Sequence, residues 1–237
     1  MTTGSGSLRA VLFDVDFTLC RPGPELGADG YARVGRDCGL ALDPGLYEEA
    51  RLAAIDDLER HPELDHDEAV WVRFTEDIVR GMGGGPGDAV AEVAERIVRR
   101  WEHAAHFELY DDVLPVLREL RGGGLKLALV SNTSRDLGAF VRHFALEVDG
   151  WISSGSYGKV KPSPLIFRAA LELVGCAADA AVMVGDSPED DVAGAQAVGI
   201  RAVLLDRSGR YARHAGRIES LAELPAAIGL RTAESTQ

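Results

Sequence analysis

The sequence predicts an α/β protein: a Rossmann-like parallel sheet core with helices on both faces, plus an inserted α-helical domain. Three observations carry that expectation. The runs Ala10-Val11-Leu12-Phe13, Leu125-Lys126-Leu127-Ala128-Leu129-Val130 and Ala180-Ala181-Val182-Met183-Val184 have the length and near-continuous hydrophobicity of strands buried on both faces. Each run ends in polar residues that lead through a loop into a helical pattern. Between the first two runs lies a long stretch in which apolar residues recur at helical spacing.

The first run leads into Asp14-Val15-Asp16-Phe17-Thr18-Leu19. The insertion then offers helices around 29–38 and 45–60. A third, over 67–82, sets Val70, Trp71, Phe74 and Ile78 on one face, and a fourth, over 88–101, aligns Val90, Val93, Ala94, Ile97, Val98 and Trp101. Gly81 to Gly87, with Pro86 inside, separates the last two as a connection. These boundaries predict a core domain of residues 1–19 and 107–237 and a helical cap domain of residues 20–106. The aromatic residues Trp71, Phe74 and Trp101 are expected to be core.

The second run ends at Ser131 and Asn132, ahead of a helix that places Leu137, Phe140, Val141 and Phe144 together. A hydroxyl is therefore expected where a helix begins, beside unpaired backbone N–H groups that form an anion site. Lys161 precedes Pro162, which holds it in an extended entry to a helix over 165–174. The third run ends in Gly185-Asp186-Ser187-Pro188-Glu189-Asp190-Asp191.

Ligands of open parallel sheets bind outside the carboxyl ends of the strands, so Asp14, Asp16, Ser131 and Asp186 are expected to converge. An aspartate near its ordinary pKa of about 3.9 is ionised at neutral pH and attacks phosphorus without an activating base. A second carboxyl beside it can carry the proton. An anionic nucleophile repels an anionic phosphate ester, so a divalent cation must lie between them, and oxygen ligands favour magnesium.

These stretches, in this order and spacing, resemble the signature of the haloacid dehalogenase (HAD) superfamily of hydrolases over residues 12–19 and 107–205. The resemblance implies that Asp14 is the nucleophile, Asp16 the general acid/base, and Ser131, Asn132 and Lys161 the phosphate binders. It implies a magnesium site made by an Asp14 oxygen, the Asp16 carbonyl and Asp186, with Asp191 acting directly or through water. Asp16 argues for phosphate esters, because dehalogenating members usually lack a carboxylate there. The expected activity is hydrolysis of a small-molecule phosphate monoester through an aspartyl-phosphate. The alternatives are a phosphomutase acting on a sugar phosphate and a weakly active phospholigand-binding relative. The superfamily usually carries glycine where this chain has Phe17, so Phe17 and the nearby Arg21 are candidates for substrate specificity, with Arg33 and Arg73 ranked below them. The inserted cap is expected to cover the active site and help select the substrate.

The chain has 237 residues, 46% hydrophobic and 27% charged, with a formal net charge of -13. That excess of acid disfavours nucleic acid and anionic membranes as partners. The series Arg201, Arg207, Arg210, Arg213 and Arg217 reads as a solvated surface. Cys20, Cys38 and Cys176 lack metal-ligand spacing and are expected to be reduced thiols. No apolar stretch is long enough to span a membrane and residues 1–7 lack the pattern of a secretory signal, so the expected location is the cytoplasm. A monomer or homodimer is expected.

Overall fold

A computed structural model describes residues 7–61 and 68–230. The chain runs β1 (Ala10–Phe13), β2 (Cys20–Pro22), α1 (Ala28–Asp37), α2 (Tyr47–Glu59), α3 (Glu68–Val79), α4 (Asp88–Trp101), β3 (Phe107–Leu109), α5 (Val113–Gly122), β4 (Lys126–Ser131), α6 (Leu137–His143), β5 (Gly150–Ser153), α7 (Ser154–Tyr157), α8 (Pro164–Val174), β6 (Ala181–Gly185), α9 (Gly194–Gln196), β7 (Arg201–Leu204) and α10 (Leu224–Ala227). Two compact units result, Met1–Arg21 with Leu109–Gln237 and Pro22–Glu108. The division falls at 21/22 and 108/109, whereas the sequence placed it at 19/20 and 106/107. The offset arises because β2 and β3, where the sequence showed no strand, pair as a two-stranded ribbon.

The first unit holds a five-stranded sheet in the order β5-β4-β1-β6-β7. All four pairings are parallel, with Phe13 level with Leu129 on one side and Val184 on the other. Successive side chains of a strand face opposite ways, so both faces must be covered. Leu12, Val130 and Met183 pack with Ile166, Phe167 and Ala170 of α8 in one cluster. Helix α5, on which Val113, Val116, Leu117 and Leu120 share a buried face, also packs against β4. The central position of β1 puts Asp14 at the middle of the carboxyl edge.

Edge strands β5 and β7 escaped the sequence reading. Each has only four residues, and Trp151 on β5 is 43% exposed, so neither shows the continuous apolar run of a strand covered on both faces.

Where the chain leaves the first unit and returns to it, the two segments lie side by side. Tyr110 donates its backbone N–H to the Leu19 carbonyl at 3.1 Å. Arg207, just past β7, donates to the Thr18 carbonyl at 3.0 Å and to both Asp112 oxygens at 2.8 and 2.9 Å. Its guanidinium stacks 3.8 Å from the Tyr110 ring centroid. Arg207 and Arg217, which pairs with Asp206 at 3.3 Å, are therefore largely buried structural residues and not part of a solvated surface.

Among the described residues the second unit contains the four α-helices α1 to α4. Val70, Ile78 and Val79 of α3 and Val90, Val93, Ala94 and Ile97 of α4 are buried. After α3 the chain makes a wider turn at Arg80–Gly84 that leaves helical geometry at Gly83, φ 99, within the stretch where the sequence suggested a connection. Gly81 is needed there because a Cβ would fall 2.5 Å from the Ala50 Cβ on α2. Asp67, the expected start of α3, lies outside the described residues. Trp71 and Phe74 meet edge-on at 5.9 Å and are half-buried, as is Trp101. Arg33 and Arg73 are exposed, and Arg33 pairs with Glu25. Among the described residues no helix is long and apolar enough to cross a membrane.

Candidate active site

Three strands deliver carboxylates and their partners to one edge of the sheet. Asp14 follows β1 and is anchored by its N–H, which donates to the Val184 carbonyl at 2.9 Å. Asp186 follows β6. Asp191 sits in the helical turn Pro188–Ala193, whose start is capped by Ser187. Its Oδ2 accepts from the Ser187 N–H at 3.1 Å. Asp191 approaches so closely that any Cβ on Gly185 would collide with its carboxylate. The carboxylates of Asp14, Asp186 and Asp191 offer oxygens within 4.8 Å of one another, whereas the Asp16 carboxylate lies outside this group.

Lys161 joins the cluster from the segment just ahead of α8. Its Nζ donates to Asp14 Oδ1 and to Asp191 Oδ1, both at 2.6 Å, and its side chain is 2% exposed. Asn132 fixes the lysine by its backbone. Asn132 Oδ1 accepts from the Lys161 N–H at 2.7 Å, and Nδ2 donates to the Lys161 carbonyl at 3.0 Å. The Asn132 amide is thus engaged with the lysine segment.

Ser131 is 1% exposed and closes β4. It does not open a helix, as the sequence suggested. Helix α6 starts at Leu137, and Asp136 caps it by accepting from the Ala139 N–H at 3.0 Å. Residues 132–136 form an intervening loop.

That loop supplies a residue that the sequence reading missed. Arg135, whose side chain is 2% exposed, donates from Nη2 to both Asp16 oxygens at 2.9 and 3.2 Å. Cys20 Sγ lies 3.5 Å from Asp16 Oδ1. Burial, then the charge of Asp16, pushes the Cys20 thiol well up, so it acts as a donor and not as a nucleophile. An arginine in a polar loop reads as solvated, and nothing in its spacing marks it otherwise. Arg21 is exposed, with its guanidinium 5.6 Å from the Tyr110 ring centroid.

The backbone at Phe17 has φ 62, the left-handed conformation that suits glycine. Phenylalanine holds it at a cost of about 1–2 kcal/mol. Its N–H donates to the Cys20 carbonyl at 2.7 Å, closing the turn that carries Asp16.

Charge accounting identifies what the cluster fits. When all three carboxylates are ionised, one ammonium leaves an excess of two negative charges in a largely buried site. Burial first, then Asp191 and Asp16, raise Asp14 from 3.8 to about 7 against the opposing pull of Lys161. This corrects the expectation of an ordinary aspartate. Burial and then the charges of Asp14 and Asp191 also raise Asp186 well above 3.8. For Lys161, burial opposes the charge, yet the two carboxylates hold its pKa above the usual value. An all-oxygen donor set with two uncompensated charges suits a hard divalent cation.

The signs give a testable consequence. Asp14 keeps its proton in the folded state up to about pH 7, while the unfolded chain loses it near 3.8. Stability in the presence of a chelator should therefore fall as pH rises from about 4 to 7, by on the order of 4 kcal/mol at the limit. Magnesium, which competes with that proton, should stabilise the protein more at pH 7.5 than at pH 5. Denaturant titrations at both pH values, with chelator or magnesium, measure it; a chelated protein that gains stability over that range refutes it.

Comparison with known proteins agrees with the geometry. Residues 8–199 match the model of the haloacid dehalogenase-like hydrolases. The chain is 30% identical to a phosphoserine phosphatase of Thermus thermophilus, over 84% of this chain and 89% of that one. A solved HAD phosphatase of Thermococcus onnurineus is 27% identical with a TM-score of 0.60, covering 94% of this chain and 98% of that one. The HAD-hydrolase YfnB of Bacillus subtilis, 20% identical, superposes with a TM-score of 0.72 over 94% of this chain and 99% of its own and shows the same fold.

Proposed function

This chain belongs to the haloacid dehalogenase-like hydrolases, and we propose that it is a magnesium-dependent phosphatase acting on a small-molecule phosphate monoester. The observation that carries this reading is the group of buried Asp14, Asp191 and Lys161 with half-buried Asp186 at the carboxyl edge of the sheet. The phosphatase relatives support it. Asp14, Asp186 and Asp191 would hold the ion, with the Asp16 carbonyl as a further ligand. Magnesium there would supply charge neutralisation for the ester.

The chain's own residues supply the rest. An Asp14 oxygen attacks phosphorus, the ester P–O bond breaks, and its electron pair departs with the alkoxide, which takes a proton from Asp16. Asp16 then takes a proton from water, whose oxygen attacks the aspartyl-phosphate and returns the bonding pair to the Asp14 carboxylate. Lys161 restrains Asp14, balances its charge and meets the phosphoryl oxygens. Ser131 is the hydroxyl donor on this reading, and Asn132 acts chiefly by holding Lys161. Phe17 and Arg21 are the candidates for substrate specificity on this reading.

The test is phosphate release from a panel of phosphorylated metabolites and p-nitrophenyl phosphate, with magnesium or with a chelator. Metal-dependent release is the expected result. No release from folded protein with bound magnesium would move the assignment to a phospholigand-binding protein, for which the strained Phe17 backbone is the motive. Return of phosphate to a sugar through a bisphosphate would identify a mutase.

A further inference from the structure

The buried guanidinium beside Asp16 exchanges no proton and forms no bond in the proposed reaction. A charged side chain 2% exposed is costly unless its charge is matched. Arg135 meets Asp16 with one nitrogen straddling both carboxylate oxygens, at 2.9 and 3.2 Å. The guanidinium is itself confined, with its carbon 5.5 Å from the centroid of the fully buried Phe140 ring. Its backbone N–H donates to Thr133 Oγ1 at 3.2 Å, fixing the turn from which it projects. Cys20 Sγ adds a third contact, on Asp16 Oδ1. Asp16, whose side chain is 22% exposed, is therefore gripped from the buried side while its remaining surface faces outward.

We propose that Arg135 is a positioning residue for the acid/base carboxylate: it fixes the orientation of Asp16 through both half-reactions. This rests on the phosphatase reading. The guanidinium touches neither substrate nor the reacting phosphorus. It holds Asp16 as the protonated carboxyl gives its proton to the departing alkoxide and the resulting carboxylate takes one from water. The second step depends on it most. There a carboxylate oxygen must meet one O–H of a mobile water while the water oxygen attacks phosphorus and the P–O bond to Asp14 breaks. Misdirection of the base slows that attack.

An aryl phosphate separates this role from general support of the fold. p-Nitrophenolate leaves without needing a proton, so formation of the aspartyl-phosphate should survive loss of Asp16 alignment, while its hydrolysis should not. In rapid-mixing experiments Arg135→Met is expected to retain a burst of about one p-nitrophenolate per protein. Its steady-state turnover should fall about 100-fold, with KM falling as well because the intermediate accumulates. Asp16→Asn should behave alike, the double variant should be no slower than Asp16→Asn alone, and Arg135→Lys should recover part of the turnover.

Unchanged turnover in Arg135→Met overturns the proposal. So does a double variant slowed by the product of the two single losses, or a burst and turnover that decline together. Should the Met variant fail to fold, Arg135→Lys carries the same test: a kept burst with slowed turnover supports the proposal, and parallel loss refutes it. A wild-type protein with no burst and no turnover removes the phosphatase reading and the proposal with it, whereas an active wild type with an indifferent Arg135 removes the proposal alone.

Discussion

Asp14→Asn is expected to abolish phosphate release and at the same time to stabilise the metal-free protein. The first effect follows from removing the nucleophile: an amide in the same place leaves binding intact but no covalent path, and a loss of at least about 1,000-fold, or 4 kcal/mol, is expected. The second follows from the environment. Burial and the neighbouring carboxylates hold Asp14 up near 7, so at pH 7.5 the fold carries an ionised group that it disfavours. Asparagine removes that charge and keeps an oxygen to accept from Lys161. Stability in chelator should rise by on the order of 1–4 kcal/mol at pH 7.5, and the gain should shrink toward pH 5, where the wild-type carboxyl is protonated. Phosphate assays and urea titrations of the same preparation read both effects. A variant that loses activity because it unfolds would show the opposite sign in the titration.

Lys161→Met should lose both activity and stability. Lys161 is the cation shared by Asp14 and Asp191 at 2.6 Å each, and methionine fills its volume without its charge. Removing one partner from a buried ionic group costs about 3–5 kcal/mol, because the remaining charges stay buried and unmatched. The cost should be partly recovered by magnesium or by acid, which answer the same carboxylates. Turnover should not return with them, since the phosphoryl oxygens still lack their cationic partner. Restored turnover at saturating magnesium would remove Lys161 from the phosphate-binding role and leave it only as a counter-ion.

Much of the fold was legible because its strongest signals are ones that burial writes plainly. β1, β4 and β6 are continuous apolar runs, since a central parallel strand is covered on both faces. The helices α3 and α4 show the periodicity of one-sided burial. The strands β5 and β7 and the β2–β3 ribbon lay below that threshold, being short and half-exposed. In the site, the ends of β1 and β6 mark Asp14 and Asp186, whereas Pro162 draws notice to Lys161 and only the order of the family motifs points to Asp191. Ser131 was placed correctly on its strand and wrongly at a helix start, because the five residues that follow it have no apolar repeat to date the helix. Arg135 and Arg207 were missed for a different reason. A buried arginine is spelled like an exposed one, and only its partners, Asp16 for one and Asp112 with the Thr18 carbonyl for the other, tell them apart.

Because the N–H of Tyr110 reaches the Leu19 carbonyl and Arg207 ties Thr18 to Asp112, departure and return points of the insertion are fastened together by the sheet domain's own atoms. These contacts lie wholly within the first unit. A length change between Arg21 and Leu109 would therefore leave the Tyr110–Leu19 and Arg207–Thr18 contacts with all their atoms in place.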